Sequence, residues 1–518
     1  MKQIKYIFCT GALFISLFAV NRLSGQTNAV VNTPASLEVI KAKSLWINSS
    51  NGAGLVLDKI SDFTELYAGY SFNSGDYKLN RTGKDENILG VSAEGGKNLE
   101  NAFAWGKFSF KNISQNGTLY NTQTVDFDRV MPYVVADPNL SDWKNQEYKL
   151  EMAVSSKPLW DCLLVGIKGE YVNKVGAKQM DPRSEVYYYH IRLQPGAVYT
   201  WGNNSLGANV LYENLNQRSK TTNSDTQVNQ DVYVLKGLGY SYDAVVGGLQ
   251  SLGMFIYKGN KLGGAMQYQH NFPFMTLFAE GRYHFRVEDV ISTPTKPKKQ
   301  GSVRENNYAA DLSLLFGKSD LARVDLSYLN QSTSGIEYVQ VLDNSYNVQK
   351  WIVVFSSVRS TFDVQELNAR FSFFKNAKRD YKWKAGAEIK YRNNDDLYIM
   401  PESVEKVENL FYGVNASYNL PISGRWSVLA GADIQLKSNL NGRYEYNGPE
   451  PETDLINACM IPDFEFMKSE YTKIGARVNV VAKLAKSAVS ITGRIDYYKP
   501  SEGSNDRIDA QIGLGFTF

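Results

Sequence analysis

The sequence predicts an all-β protein: a transmembrane antiparallel β-barrel of about 18 strands, with about 14 or 16 as the alternatives, and an N-terminal plug-like segment. Three observations predict it. Apolar and polar residues alternate at period two along most of the chain. One face of the alternating stretches gathers ionisable groups while the other carries none. Short and long connections take turns between the stretches, as in barrels with short periplasmic turns and long outer loops.

The clearest stretch sets Leu277, Ala279, Gly281, Tyr283, Phe285 and Val287 against Glu280, Arg282, His284, Arg286 and Glu288. A row of ionisable groups cannot sit in a dry core; it needs water or oppositely charged partners. Lipid outside and a wet lumen inside satisfy both faces. The same partition makes Lys384, Glu388, Lys390 and Arg392 candidate lumen residues opposite Ala385, Ala387, Ile389 and Tyr391. It does so for Asp433, Arg477, Arg494 and Asp496 on three later stretches. The last stretch, Arg507 to Phe518, alternates Ile508, Ala510, Ile512, Leu514, Phe516 and Phe518 with polar or tiny residues. Its aromatic-x-Phe ending resembles the C-terminal signal read by outer-membrane assembly machinery. Pairing it with the first strand would leave no open edge.

Tight connections are expected at residues 201–204, 317–320, 421–424 and 483–486, and long ones at about 114–145, 214–261, 291–305, 335–357 and 439–468. Asp231–Tyr242 alternates, yet counting it as a wall strand upsets the order of short and long connections.

The N-terminus reads as a secretory signal over residues 1–26. Lys2 and Lys5 precede an uncharged apolar run, Tyr6 to Val20, and Ser24-Gly25-Gln26 offers small residues for cleavage. Residues 27–62 do not alternate. Ser36 is expected to cap a short helix over 37–42. Trp46, Asn48, Asn51, Gly52 and Gly54 fall in a stretch of turn chemistry inside an apolar frame, expected to fold into the barrel as a plug. Residues 63–518 are the barrel.

Composition narrows the function classes. The 33 tyrosines suit strands and membrane interfaces, and a net charge of +3 shows no basic surface for nucleic acid. With 3 cysteines, one of them in the signal, only Cys162 and Cys459 remain to pair, which makes no disulfide framework. A serine hydrolase would need His190, His270 or His284 beside a serine, and His270 and His284 fall on neighbouring strands, but no nucleophile motif surrounds any serine. Asp126, Asp128, Asp137, Asn139 and Asp142 crowd one loop, where solvated carboxylates are a simpler reading than a calcium site. No metal, cofactor or catalytic residue is expected. The loop aromatics Tyr338, Tyr346, Trp351 and Phe355 are candidates for partner contact or for the interface girdle.

The stretches 45–55, 66–70, 90–95, 101–106, 131–137, 142–146 and 178–183 resemble a Bacteroidetes outer-membrane barrel family of unknown function. The resemblance implies one outer-membrane domain and no particular activity. Asn51-Gly52-Ala53-Gly54 is also loosely similar to the plug region of long-chain fatty-acid transporters. The reading that follows is a porin-like barrel in the outer membrane, in contact with its lipid, that passes a small solute, beside a TonB-dependent transporter or a surface lipoprotein. The alternative is a barrel with no open path whose loops bind a partner; an outer-membrane lipid hydrolase is a more distant one.

Overall fold

The computed structural model describes residues 31–122, 129–225, 227–247, 252–293, 296–345, 349–503 and 505–518. The expected signal over residues 1–26, and Asp126, Asp128 and Tyr346, lie outside them. Among the described residues, 18 strands form one sheet, from Phe63–Gly75 to Arg507–Thr517. Each wall strand pairs antiparallel with the next, and Arg507–Thr517 pairs with Phe63–Gly75 from Glu65↔Thr517 to Gly75↔Arg507. The sheet is therefore a closed barrel. Closure matters because an unpaired backbone group facing hydrocarbon costs several kcal/mol.

The alternation seen in the sequence becomes a division between outside and inside. Tyr283, Ile512 and Leu514 are exposed outward, whereas Glu280, Arg286 and Glu288 on the opposite face are buried inward. On the strand Trp383–Ile399 the outward apolar run lasts from Trp383 to Tyr391. Nine residues fit the span of a tilted strand across a hydrocarbon core. Beyond them the outward side chains turn polar, with Asn393 and Asp395. Trp201, Trp383, Tyr418, Trp426 and Phe518 mark one edge of the band, and Tyr70, Tyr212, Tyr283, Tyr308, Tyr328 and Tyr391 the other. A closed antiparallel barrel with an apolar band between two aromatic girdles is the architecture of outer-membrane proteins.

Several sequence expectations are corrected. Strands run further outward than the alternation suggests: Leu321–Asp343 and Lys350–Lys375 form a long hairpin where a loop over 335–357 was expected. Above the lipid both faces meet water, so the pattern fades while ladder pairing continues. The expected loop 214–261 shrinks in the same way, because Asn204–Thr222 and Met254–Asn271 are wall strands. Asp231–Tyr242 is not a wall strand. It spans two short strands, Gln230–Gly237 and Tyr240–Val246, which join Val135–Ala136 in a separate three-stranded sheet. Leu238 and Gly239 make the turn between them with φ of 50° and 90°, the left-handed pair that tight hairpins use. Thr33, not Ser36, caps the N-terminal helix α1 (Pro34–Lys43), with Ser36 returning a bond to the Thr33 backbone in a capping box. Cys162 and Cys459 are both free.

Candidate functional site

The lumen is filled from both ends, by different means. At the inner end, where the connections are short, residues 31–62 contact inward side chains around most of the circumference. At the outer end the segment from Met131 and the small sheet supply Met131, Tyr133, Val135, Val232, Val234 and Val246. These pack against the inward residues Phe255, Tyr257, Val290 and Val303. Arg129 anchors this packing: its guanidinium is buried against Glu288 and donates to Gln217 at 2.6 Å. Arg286 pairs with Glu288 at 2.9 Å and Glu305 at 2.6 Å. A second π-helical and α-helical insert, Leu455–Met460 and α2 (Ile461–Lys468), reaches Ala136 through Leu455 and Cys459.

The inner segment has two halves. Residues 45–57 lie dry against one side of the wall. Trp46 is 1% exposed, packs edge-on to Phe278 with ring centroids 5.0 Å apart, and donates its indole N–H to Gln269. Asn51 is wholly buried; its amide donates to the Ala197 and Ala208 carbonyls and to Gln267 Oε1. Its own Oδ1 accepts from the Ala53 N–H at 3.0 Å. Lys168 donates to the Ser49 carbonyl at 2.8 Å, and Glu280 accepts from the Ser50 backbone N–H at 2.9 Å. The approach is so close that a Cβ on Gly52 would stand 2.7 Å from the Ile167 carbonyl oxygen, and one on Gly54 would enter the Trp46 ring. Wall residues Gly166 and Gly207 meet the segment from the other side, facing Ala53, Asn51 and Trp46. Asn48 differs: its side chain is exposed.

Asp58 closes the first half on itself. Its carboxylate accepts the backbone N–H groups of Leu45 and Trp46 at 2.8 and 3.1 Å and of Ile47 at 2.9 Å. Burial pushes its pKa up to about 6, against the pull of those three N–H groups and of Arg323.

The second half, α1, crosses toward the far side of the lumen. Ala35 and Val39 pack with Leu321, Phe374, Tyr381 and Leu429, while Leu37 packs with Phe63, Phe103 and Trp105. Its charged residues reach the wall as ions. Lys41 pairs with Glu94 at 3.0 Å and Glu65 at 3.4 Å. Glu38 pairs with Arg477 at 3.0 Å and Lys384 at 3.2 Å, and accepts from the Tyr381 hydroxyl at 3.0 Å. Arg323 donates to the Ala42 and Ser44 carbonyls at the end of α1.

Beside Lys384 and Arg477 lies a polar cavity of about 420 Å³, whose lining includes Arg370, Glu388, Asp433, Lys473 and Arg494. Its carboxylates are shared among cations. Glu388 pairs with Arg370; Asp433 and Asp496 both pair with Lys473 and Arg494. Lys390 and Arg392 pair with Glu366 on the neighbouring strand. Arg282 pairs with Asp311 at 2.6 Å. The row of candidates read from the sequence is thus split. Glu280 is buried under the inner segment, Arg286 and Glu288 under the outer packing, and Asp496 beside Lys473 and Arg494, while Lys384, Asp433, Arg477 and Arg494 keep water contact.

The two histidines on neighbouring strands lie on opposite faces of the wall. His284 points inward to Glu305 at 3.3 Å; His270 is paired with Leu277 in the ladder, on the outward face, and bonds Asn204 at 2.7 Å. Of the crowded loop carboxylates, Asp137 is fully buried against Lys178 rather than solvated. Among the described residues no group of three or more His, Cys, Asp or Glu side chains is gathered for a metal. Two apolar grooves of about 550 and 620 Å³, around Met266, Gly281, Ala310 and Tyr328, recess the lipid-facing side of the wall.

The chain belongs to the family of unknown function DUF6850, whose profile matches residues 52–518. Among solved structures it is similar to BauA, the ferric preacinetobactin receptor from Acinetobacter baumannii. The identity there is 10% and the TM-score 0.40, over 88% of this chain and 80% of that one. It is similar to the RagAB peptide transporter at 6% identity and a TM-score of 0.41, over 88% of this chain and 87% of that one. For the outer membrane protein opdK from Pseudomonas aeruginosa the values are 9% and 0.34, over 88% and 99%. No curated protein matches the chain in sequence.

Proposed function

We propose that this barrel is a conduit by which a small polar solute crosses the outer membrane, with residues 27–62 acting as a plug at its inner end. The observation that carries the reading is unequal filling. One side of the lumen is packed dry by residues 45–57, while the other keeps a charged, water-accessible cavity that α1 closes off through ion pairs. A lumen filled only for rigidity has no use for a wet cavity behind a helix held by partly exposed charges. Arg282, Lys384, Glu388, Lys390, Arg392, Asp433, Arg477, Arg494 and Asp496 would line the path. The mechanism is passive, without cofactor, metal or catalytic residue, and residues 1–26 are a signal peptide removed on export.

Planar-bilayer conductance of the purified barrel tests it. The full chain is expected to open rarely, and a chain without residues 27–62 to conduct steadily. A barrel silent in both forms would overturn the conduit. A second reading is a non-conducting barrel that docks a TonB-dependent transporter or a surface lipoprotein. It is favoured by the exposed Val339, Val341, Val354 and Phe355 on the outer hairpin. Silence in bilayers together with co-purification of such a partner would select it.

A further inference from the structure

Lys384 and Arg477 stand on separate wall strands, Trp383–Ile399 and Tyr471–Lys483, and both face the cavity. The neighbouring wall cations have wall carboxylates as partners: Arg370 has Glu388, while Lys473 and Arg494 have Asp433 and Asp496. The carboxylate that Lys384 and Arg477 pair with comes instead from the inner segment: it is Glu38, shared by both. Tyr381 adds a third donor to the same group at 3.0 Å. Two wall cations and a hydroxyl from the turn between two wall strands thus converge on one carboxylate of the inner segment.

We propose that Lys384, Arg477 and Tyr381 form a binding subsite for the carboxylate of a small anionic solute, and that Glu38 fills this subsite when α1 is seated. The proposal rests on the conduit reading and names the solute class for it. Three features support it. Charge-assisted bonds from a guanidinium and an ammonium are the usual way to hold a carboxylate. The side chains of Lys384 and Arg477 keep 24% and 28% of their exposure, so a solute in the cavity reaches them. With α1 displaced, two cations would face the lumen without their partner, and an anion would restore the balance. Glu38 is tethered, so it competes at a high effective concentration, and a free carboxylate binds the seated form weakly. A solute that wins the exchange also releases one of the two ionic ties of α1, the other being Lys41 with Glu65 and Glu94. Ligand entry and loosening of the helix are then one event.

Calorimetric titration of the full chain with succinate, set beside bilayer recordings of the same variants, tests the proposal. Glu38→Gln is expected to bind succinate at least about tenfold more tightly than the unsubstituted chain, the loss of one charge-assisted competitor. Adding Arg477→Gln or, separately, Lys384→Gln to Glu38→Gln is expected to abolish that gain. Arabinose, of similar size and uncharged, is expected to bind none of them. Retained heat-modifiability on gels shows that each variant still forms the barrel. Equal succinate affinity with and without Glu38, or a gain that survives both wall substitutions, overturns the subsite. Succinate binding that behaves as expected in variants that never conduct would leave the subsite standing and remove the conduit.

Discussion

Residues 45–57 and 34–43 belong to one continuous inner segment, yet they meet the wall by opposite chemistry. The first part is fitted by shape: Trp46 against Phe278, Asn51 on wall carbonyls, glycines on both sides of the contact. The second interleaves apolar packing by Ala35, Leu37 and Val39 with ion pairs from Glu38 and Lys41. Shape-fitted contacts fail all at once when one group is wrong, whereas partly exposed ion pairs exchange with water and salt at little cost. On the proposed conduit reading, the first part is the fixed half of the plug and the second the half a solute displaces.

The largest effect is expected from Trp46→Ala, which empties the centre of the dry half. A loss of about 3–5 kcal/mol in the seating of residues 45–57 is expected, read as faster hydrogen exchange there. Gly54→Val is next, at about 1–3 kcal/mol, because the new side chain must displace the Trp46 ring. If either substitution leaves exchange in 45–57 unchanged, the two halves are not different in kind. The pH response of Asp58 comes third. Its pKa is raised from 3.8 to about 6 in the folded chain, so the folded state binds the proton more readily. That stability is complete below pH 3.8 and lost as pH rises through about 6, amounting to roughly 3 kcal/mol at most. Trp46 fluorescence should therefore report a looser segment at pH 7.5 than at pH 5, and Asp58→Asn should flatten the response. The smallest effect is expected from Lys41→Gln, under about 1 kcal/mol and fading as salt is raised. Exchange of α1 amides at low and high ionic strength would show it; a large, salt-independent loss would mean α1 is as firmly built in as its neighbour.

Much of the wall was legible in the sequence, for a physical reason. Hydrocarbon rejects charge so strongly that Tyr283 and Arg282, one residue apart, cannot trade faces. The strand order follows, as does the doubt over Asp231–Tyr242, which now lies off the wall. The contents of the lumen were not legible. A polar side chain looks the same in sequence whether it meets water or another segment. Glu280 and Arg282 sit two residues apart on one face, yet Glu280 is buried against Ser50 while Arg282 keeps water contact. Glu38 and Lys41 were passed over because a charge on a short helix usually means a solvated face. Only the position of α1 in the lumen shows that they meet ions on different wall strands. The outer strands were underestimated because nothing sorts their side chains once both faces are wet.

One contact at the seam of the barrel bears on how the molecule is put together. The Thr517 hydroxyl donates to the Asn32 carbonyl at 2.5 Å, next to the seam where Phe518 and Thr64 exchange backbone bonds. A wall sealed there has no side door. Further along the same segment, Ala53, Asn51 and Trp46 press closely against Gly166 and Gly207 of the wall. The start of the inner segment is thus tied to the strand that closes the wall.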